Sequence, residues 1–220
     1  MEEEVMWKEL ERLEQKLEQG DINNWDLDLI IDLIEKTRDP YALSALASIL
    51  KEVKGNWVED TKIKLVIPKI LKIAEKIETE DKHEEMMLRK ALREMLNTKP
   101  LLKTDLLNLL HSKNKRVFLV VLRALPQHLH DLHDDRMIIV KTLINRHFSE
   151  NNEIRKEITK ALEELISLEQ LPYLITMIPR APDHYTKQEL KSLTEKLVIK
   201  LMPLSDIEII KRFTEGLQFL

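Results

Sequence analysis

The sequence predicts an all-α fold made of stacked helical hairpins, on three observations. An Ala-Leu pair flanked by apolar residues at helical spacing recurs, beginning at Ala45, Ala91, Ala124 and Ala161. The intervals of 46, 33 and 37 residues between these pairs are typical of helical repeat arrays. Only three of the 220 residues are glycine, Leu, Ile, Glu and Lys are abundant, and runs of alternating β-branched residues are missing, which together favour helix over strand.

The first element is an acidic amphipathic helix over residues 2–19. Its apolar positions, Met6, Leu10, Leu13 and Leu17, are spaced by four, three and four residues, and Gly20 follows as a helix stop. Such a helix either caps the array or binds a partner. We predict a capping helix over residues 1–20, because a terminal repeat has to cover an otherwise exposed apolar face.

Five hairpins follow within a single predicted domain that spans residues 1–220. The first helices of the hairpins are predicted near residues 26–36, 61–77, 104–111, 135–148 and 171–178. Their partners are predicted near residues 39–53, 80–97, 114–125, 152–167 and 185–202. Ser205 is a candidate N-cap for a last helix, so residues 205–220 are predicted to form a C-terminal capping helix.

Residues 106–117 and 152–165 resemble HEAT repeats, in their polar turn, their Val-Arg-like helix start and their Ala-Leu core pair. Pro68 and Pro172 stand where that family often has a first-helix proline, and Asp39-Pro40 resembles its interhelical turn. The resemblance covers residues 26–202. It implies a right-handed α-α superhelix of about five HEAT-like hairpins with N- and C-terminal capping helices, and it implies little about function, because such repeats serve many functions.

Composition excludes several kinds of site. The chain has no cysteine, which excludes disulfides, thiolate zinc sites and iron–sulfur clusters, and its three glycines cannot form a phosphate-binding loop. No membrane span or signal peptide is visible, so a cytoplasmic protein is expected. The net charge is −4, and residues 1–20 carry seven Glu against three cations, which leaves a body with 32 acidic and 32 basic residues. A neutral body argues against nucleic acid as the partner.

The second helices predict a binding surface. At about 100° per residue, the residue before each Ala points away from the core; these positions are Ser44, Lys90, Arg123, Lys160 and, in one register, Lys191. Met86, Leu119, Lys156 and Lys187 lie one turn earlier on the same face. Cations beside exposed apolar residues suit an acidic or amphipathic protein partner. The predicted partner-binding residues are Met86, Lys90, Leu119, Arg123, Lys156 and Lys160.

Residues 128–135 form the one constellation that invites an enzymatic interpretation. Their histidines and carboxylates are ligands for divalent metals. The segment fails the metallo-β-lactamase pattern, because Leu132 stands where an Asp is needed. It is similar in order to the HD phosphohydrolases, with His111, His130-Asp131 and Asp183 in sequence, although no glycine follows the His-Asp pair. The plainer interpretation is a polar connection after the helix-breaking Pro126.

A third alternative is a nucleic-acid-binding array similar to the HEAT-like alkylpurine DNA glycosylases, which grip DNA on a basic face with aromatic residues. Trp25 and Trp57 are instead expected in the core of the first repeat. The sequence therefore predicts a non-catalytic scaffold or adaptor that binds a protein along the second-helix face, without a metal or another cofactor. An HD-like metal-dependent phosphohydrolase centred on His130 and Asp131 is the alternative, and the oligomeric state cannot be read from the sequence.

Overall fold

A computed structural model describes residues 3–53, 60–96, 103–128, 132–202 and 216. These residues are mainly α-helical, with short 3-10 segments, and no strand occurs among them. The prediction of an all-α fold is confirmed. The chain divides into two compact units, residues 1–124 and residues 125–220. Within the described ranges, no helix is long and apolar enough to cross a membrane.

The first unit contains seven helices in the part of the chain that the structure describes. Their bounds are α1 Glu3–Gln19, α2 Asn24–Lys36, α3 Pro40–Val53, α4 Asp60–Lys76, α5 Lys82–Leu96, α6 Lys103–Leu109 and α7 Lys115–Ala124. The predicted helices of residues 2–124 begin and end within a few residues of these bounds, because the apolar periodicity and the turn residues agree at each end.

Packing in the first unit joins the helices in pairs and in a row. Helices α2 and α3, α4 and α5, and α6 and α7 pack as consecutive pairs. Helix α3 also packs against α5, α5 packs against α7, and α2 packs against α4. Helix α1 packs against α3, and Met6, Leu10 and Leu13 of α1 are buried. The apolar side of α1 is therefore covered within the first unit.

The junction between α1 and α2 is closed by specific backbone interactions. The amide of Gly20 donates to Leu17 O (3.0 Å) and that of Asp21 donates to Lys16 O (2.9 Å), the paired bonds of a Schellman C-cap. The side chain of Asn23 accepts from the amides of residues 25 and 26, and Asp26 accepts from the Asn23 amide, which forms a capping box. The end of α1 and the start of α2 are thus both fixed by hydrogen bonds.

Replacing Gly20 by alanine should lower the free energy of unfolding of the first unit by about 1 kcal/mol. Gly20 has a φ of +70°, in the left-handed region, and a Cβ at this position would meet nothing within 4 Å, so the cost comes from the backbone alone. Urea denaturation followed by tryptophan fluorescence measures it, since all three tryptophans lie within residues 1–124. Gly20→Asn is the control and should cost less, because asparagine tolerates this region. An unchanged midpoint for Gly20→Ala would contradict the prediction.

The second unit begins with a 3-10 segment over Leu125–His128. The bounds of its helices are α8 Arg136–Ser149, α9 Asn152–Leu165, α10 Leu171–Met177 and α11 His184–Leu201, with further 3-10 segments at His133–Asp135 and Ile178–Arg180. Helices α8 and α9 pack as a pair, α10 and α11 pack as a pair, and α9 also packs against α11. Pro172 lies in the first turn of α10, where a proline costs no hydrogen bond.

The core residues follow the predicted Ala-Leu register closely. Ala91, Ala124 and Ala161 are buried, as are the leucines that follow them, whereas Ala45 is only half-buried although Leu46 after it is buried. Trp25 was expected in the core, and this is wrong: its side chain is 84% exposed, because it follows Asn24 in the first turn of α2 and the buried face of that turn belongs to Asp26 and Leu27. Trp57 and the predicted C-terminal helix over 205–220 lie outside the described residues, apart from residue 216.

Candidate interaction surface

The exposed side of α5 carries cations around one methionine. Lys82, Met86, Lys90 and Arg93 are exposed and are spaced by four, four and three residues, so they fall on one side of the helix. Met86 is 50% exposed. Leu88, Ala91, Leu92, Met95 and Leu96 are buried on the other side. We call the four exposed residues the α5 stripe, and both predicted site residues on α5, Met86 and Lys90, belong to it.

The acidic residues of α5 do not neutralise this stripe. Glu84 accepts a hydrogen bond from the Thr79 hydroxyl (2.5 Å), and Glu94 lies 2.6 Å from Lys51 Nζ on α3. Glu85 accepts from Arg89 (2.8 Å) and from Arg116 Nε at the start of α7 (2.6 Å). All three carboxylates are at least half-buried and engaged. The charge that α5 presents to solvent is therefore positive.

Helix α7 bears one of its two predicted site residues on the surface. Arg123 is exposed. Leu119 occupies the position on α7 that Met86 occupies on α5, the preceding second helix, but it is only 2% exposed. The prediction of Leu119 as an exposed anchor is wrong. All residues from Val117 to Leu122 are buried, and six consecutive residues cover more than one helical turn, so this part of α7 is enclosed on every side.

The residue before Ala45, which was predicted to point away from the core, is buried as well. Ser44 is 2% exposed, not on the surface, and its hydroxyl has no hydrogen-bond partner among the described residues. Helix α3 packs against four helices of the unit, α1, α2, α4 and α5, so it has a narrower exposed side than α5. The apolar periodicity of a helix does not show how many other helices pack around it.

The predicted site residues of the second unit lie in a mixed surface. Lys156 and Lys160 are exposed on α9, but Lys160 Nζ lies 2.8 Å from Glu157 Oε1. Glu153 and Glu164 are exposed on the same helix. Because cations and anions alternate there, α9 presents no net positive side comparable with the α5 stripe. The residues before Ala91 and Ala161 are both lysines in the sequence, so this difference in charge between α5 and α9 did not follow from the residues at those positions.

The exposed side of α1 carries glutamates around one tryptophan. Glu4, Trp7, Glu11, Glu14 and Glu18 are exposed and follow one another at intervals of three, four, three and four residues. Trp7 is 37% exposed. Glu4 pairs with Lys8 (2.7 Å), an exposed pair of little energetic consequence. The sequence indicated an acidic amphipathic helix, and the structure shows which of its glutamates are exposed together. We call these residues the α1 stripe.

Contacts at the start of α2 show which way the α1 stripe points. Lys16 lies 2.8 Å from the buried Asp26 and marks the side of α1 that faces α2. Trp7 precedes Lys16 by nine residues, which is a rotation of about 180° around the helix. The α1 stripe therefore faces away from α2.

Between these two stripes lies the exposed side of α3, which is made of smaller residues. Ala45 and Ser48 are half-buried there, and Tyr41 is exposed at the beginning of the helix. Helices α1 and α5 both pack against α3. The first unit thus presents an acidic stripe, a shallow side of α3 and a basic stripe.

Comparisons of the chain with family models, with curated proteins and with solved structures found no match. The resemblance to HEAT repeats consequently stays a prediction. The chemistry of the surface has to be argued from the side chains themselves.

The second unit contains a buried polar cluster that no sequence pattern indicated. His147 of α8 is fully buried, and its Nε2 lies 3.2 Å from the hydroxyl of Thr159 on α9. That hydroxyl donates to Arg155 O (2.9 Å), so His147 Nε2 must be the donor to it and Nδ1 carries the lone pair. Glu189 of α11 lies 3.5 Å from the same Nε2. The cluster links α8, α9 and α11.

The pKa of His147 is lowered from its ordinary value of 6.5 to about 4, chiefly by burial and also by the positive charge of Arg155. Asp183 acts in the opposite direction. The imidazole is therefore neutral at neutral pH. With no exposed surface, it interacts with the residues around it and does not offer a site to solvent, so we assign the cluster a structural role in the second unit.

The residues of the predicted metal site are only partly described. His130 and Asp131 lie outside the described residues. His133 and Asp134 are exposed and lie 3.5 Å apart, and His111 is exposed on the other unit. Asp183 caps α11 by accepting from the Thr186 amide (2.7 Å). Among the residues that the structure describes, no three histidines or carboxylates form a group that could hold a metal. The phosphohydrolase alternative stays untested.

Proposed function

We propose that this chain is a non-catalytic protein-interaction module, a HEAT-like α-solenoid that binds a protein partner through the exposed side of its second helices. The partner is acidic or amphipathic. The site lies in the first unit and is centred on the α5 stripe, with Met86 as the apolar contact and Lys90 and Arg93 as the charged ones. Arg123 extends the positive charge on the next second helix.

The packing within each unit supports the solenoid part of the proposal. Consecutive helices pair, second helices α3, α5 and α7 pack in sequence, and first helices α2 and α4 pack against each other. Helices α9 and α11 repeat the contact between second helices in the other unit. In this stack α5 has one open side, whereas α7 is enclosed from Val117 to Leu122, and solenoids use open sides of this kind for extended binding surfaces.

A single observation carries the functional part. On α5, every acidic side chain is engaged in an interaction and at least half-buried, whereas the exposed charged side chains are all basic and surround a half-exposed methionine. A solvent-exposed surface without a binding role more often carries both signs of charge. Cations speed association with an acidic partner, and an apolar side chain among them adds an anchor that loses its water on binding.

Site-specific photo-crosslinking tests the proposal. A photoreactive amino acid in place of Met86 should capture a defined protein in the cells that naturally make this chain. The same probe at Lys72, which is exposed on α4, should not capture that protein. Lys90→Glu with Arg93→Glu should weaken the binding of the captured protein at least ten-fold at low salt, and high salt should weaken binding to the wild type.

Lys72→Glu with Lys76→Glu is the matched control, because it changes the net charge equally on the exposed side of the other helix of the hairpin. This control should bind as the wild type does. The proposal is wrong if capture is the same at both probe positions, or if reversal of Lys90 and Arg93 leaves binding unchanged while the protein remains folded.

A further inference from the structure

We infer that the partner seated on the α5 stripe is the α1 stripe of a second copy of this chain, so that the first units form a two-fold symmetric dimer. This inference rests on the proposed function and names its partner. The α5 stripe needs an exposed acidic helix with one apolar contact. The α1 stripe has this chemistry, with four glutamates around Trp7. The two exposed cations of α1 lie beside the stripe, where Lys8 pairs with Glu4 and Arg12 pairs with Glu9.

The two stripes match in spacing as well as in charge. With Trp7 placed opposite Met86 and the helices parallel, Glu11 lies opposite Lys90, since each is four residues further on. Glu14 and Arg93 are each seven residues further on, and Glu4 and Lys82 precede the apolar pair by three and four residues. Equal intervals give equal axial heights, because the rise per residue is constant. Glu11 and Glu14 therefore lie at the heights of Lys90 and Arg93, and Glu4 lies within the rise of one residue, about 1.5 Å, of Lys82.

The position of α3 makes the match reciprocal. Helices α1 and α5 both pack against α3, and the inferred dimer takes α1, α3 and α5 to run in the same direction. Rotation of a second copy by 180° about an axis along α3 places its α1 over α5 of the first copy. The same rotation places its α5 over α1 of the first copy. The contact is then isologous and closes at two copies.

Residues near the axis permit a close approach. Ala45 and Ser48 on the exposed side of α3 are small and half-buried, so the two faces can approach closely along the middle of α3, beyond the exposed Tyr41 at its start. A two-fold axis perpendicular to α3 in the same plane would place α1 over α1, where glutamates would repel each other. Charge therefore selects the axis that runs along α3.

Sedimentation of the full chain at low and high salt tests the dimer. The wild type should dimerise at low salt and dissociate as salt rises. Lys90→Glu with Arg93→Glu should weaken the dimer at least ten-fold, as should Glu11→Lys with Glu14→Lys. An equimolar mixture of these two variants should form heterodimers with about wild-type affinity, because both contacts are then complementary again. Lys72→Glu with Lys76→Glu should dimerise as the wild type does.

Chemical cross-linking tests the closure. The chain has no cysteine, so Glu11→Cys with Lys90→Cys introduces the only thiols. A short bismaleimide should join these thiols into covalent dimers without larger species, whereas a head-to-tail contact that does not close would give a ladder of oligomers. Neither single-cysteine variant should be cross-linked.

The dimer is excluded if the wild type is a monomer at about 100 μM in low salt, if the two reversed variants fail to restore each other, or if a ladder appears. A monomer whose Met86 probe captures a different protein, sensitive to reversal of Lys90 and Arg93, would overturn the dimer and leave the proposed function standing. A monomer without such capture would overturn both.

Discussion

Replacing Arg116 by methionine should lower the free energy of unfolding of the first unit by about 2–3 kcal/mol, which is less than for a fully buried ion pair because Glu85 is 26% exposed. Arg116 lies at the start of α7, and its side chain is 10% exposed. Its Nη1 donates to Ala74 O and to Ile77 O (2.9 Å for the latter), at the C-terminal end of α4. Its Nε donates to Glu85 on α5 (2.6 Å). One guanidinium therefore holds three helices.

The loss is large because the partners of Arg116 stay partly buried after the substitution. Burial raises the pKa of Glu85, but hydrogen bonds from Arg116 and Arg89 more than offset this and leave that pKa below its ordinary value of 4.5. Without Arg116, this carboxylate keeps one cation, and the carbonyls at the end of α4 lose their donor. Methionine keeps much of the volume, so the lost interactions dominate the measured change.

Urea denaturation followed by tryptophan fluorescence measures this loss in the first unit alone. Arg89→Met is the matched control: Arg89 also pairs with Glu85, but its side chain is more exposed and makes no bond to α4 among the interactions described, so its loss should stay below about 1 kcal/mol. Arg116→Lys should fall between the two, because a lysine cannot reach both partners as a guanidinium does. Equal losses for Arg116→Met and Arg89→Met would contradict the prediction.

Acidification from pH 6.5 to pH 4 should destabilise the second unit by about 3 kcal/mol through His147 alone. The pKa of this histidine is about 4 in the folded protein and 6.5 when exposed. Between these values the unfolded chain binds a proton that the folded chain rejects, so stability falls as the pH falls. The stability that depends on neutral His147 is fully present above pH 6.5.

Charged groups from each helix around His147 shape this response. Arg155 of α9 opposes protonation, and Asp183 before α11 favours it; Glu189 of α11 lies within 3.5 Å of the ring. Hydrogen bonds from Thr186 hold the pKa of Asp183 below its ordinary value of 3.8, so the contribution of this carboxylate is lost only at lower pH. The pH ranges in which His147 and Asp183 lose their contributions to stability are therefore separate. The change between pH 6.5 and pH 4 reports the histidine.

Hydrogen exchange of peptides from α8 and α9, measured across this pH range and corrected for the intrinsic exchange rate, detects the loss in the second unit. Proton NMR of the His147 ring gives its pKa directly. His147→Gln should flatten the profile between pH 6.5 and pH 4, whereas His133→Gln should leave it unchanged, because His133 is exposed. A His147 pKa near 6.5, or a profile that His147→Gln does not alter, would exclude this account.

The positions of the helices could be predicted because their determinants are local. Apolar residues at helical intervals, Gly20 after α1, and Asn23 before α2 specify starts and ends without reference to distant residues. The buried Ala-Leu pairs followed from the same periodicity. The exposure of Met86 and Lys90 was predictable too, because α5 has one buried side and one open side.

Other features of the candidate site depended on neighbours that periodicity does not reveal. Met86 and Leu119 occupy the same helical position relative to the following Ala, yet only Met86 is exposed. Arg116 and Arg155 were visible as helix-start arginines that resemble a HEAT feature. Their ion pairs with Glu85 and Glu189 join residues more than 30 positions apart in the chain. Which glutamates of α5 are engaged, and hence the net charge of its exposed side, followed only from these contacts.

The sequence by itself determined the all-α class, the helix bounds and the side of each helix that is apolar, because these depend on interactions within one or two turns. Only the tertiary structure decided which polar sides remain open, which charges are paired, and that the α1 and α5 stripes lie on either side of α3. Burial is set by how many helices surround a position, and ion pairing is set by distances between side chains far apart in sequence. Neither quantity is encoded in the period of a single helix.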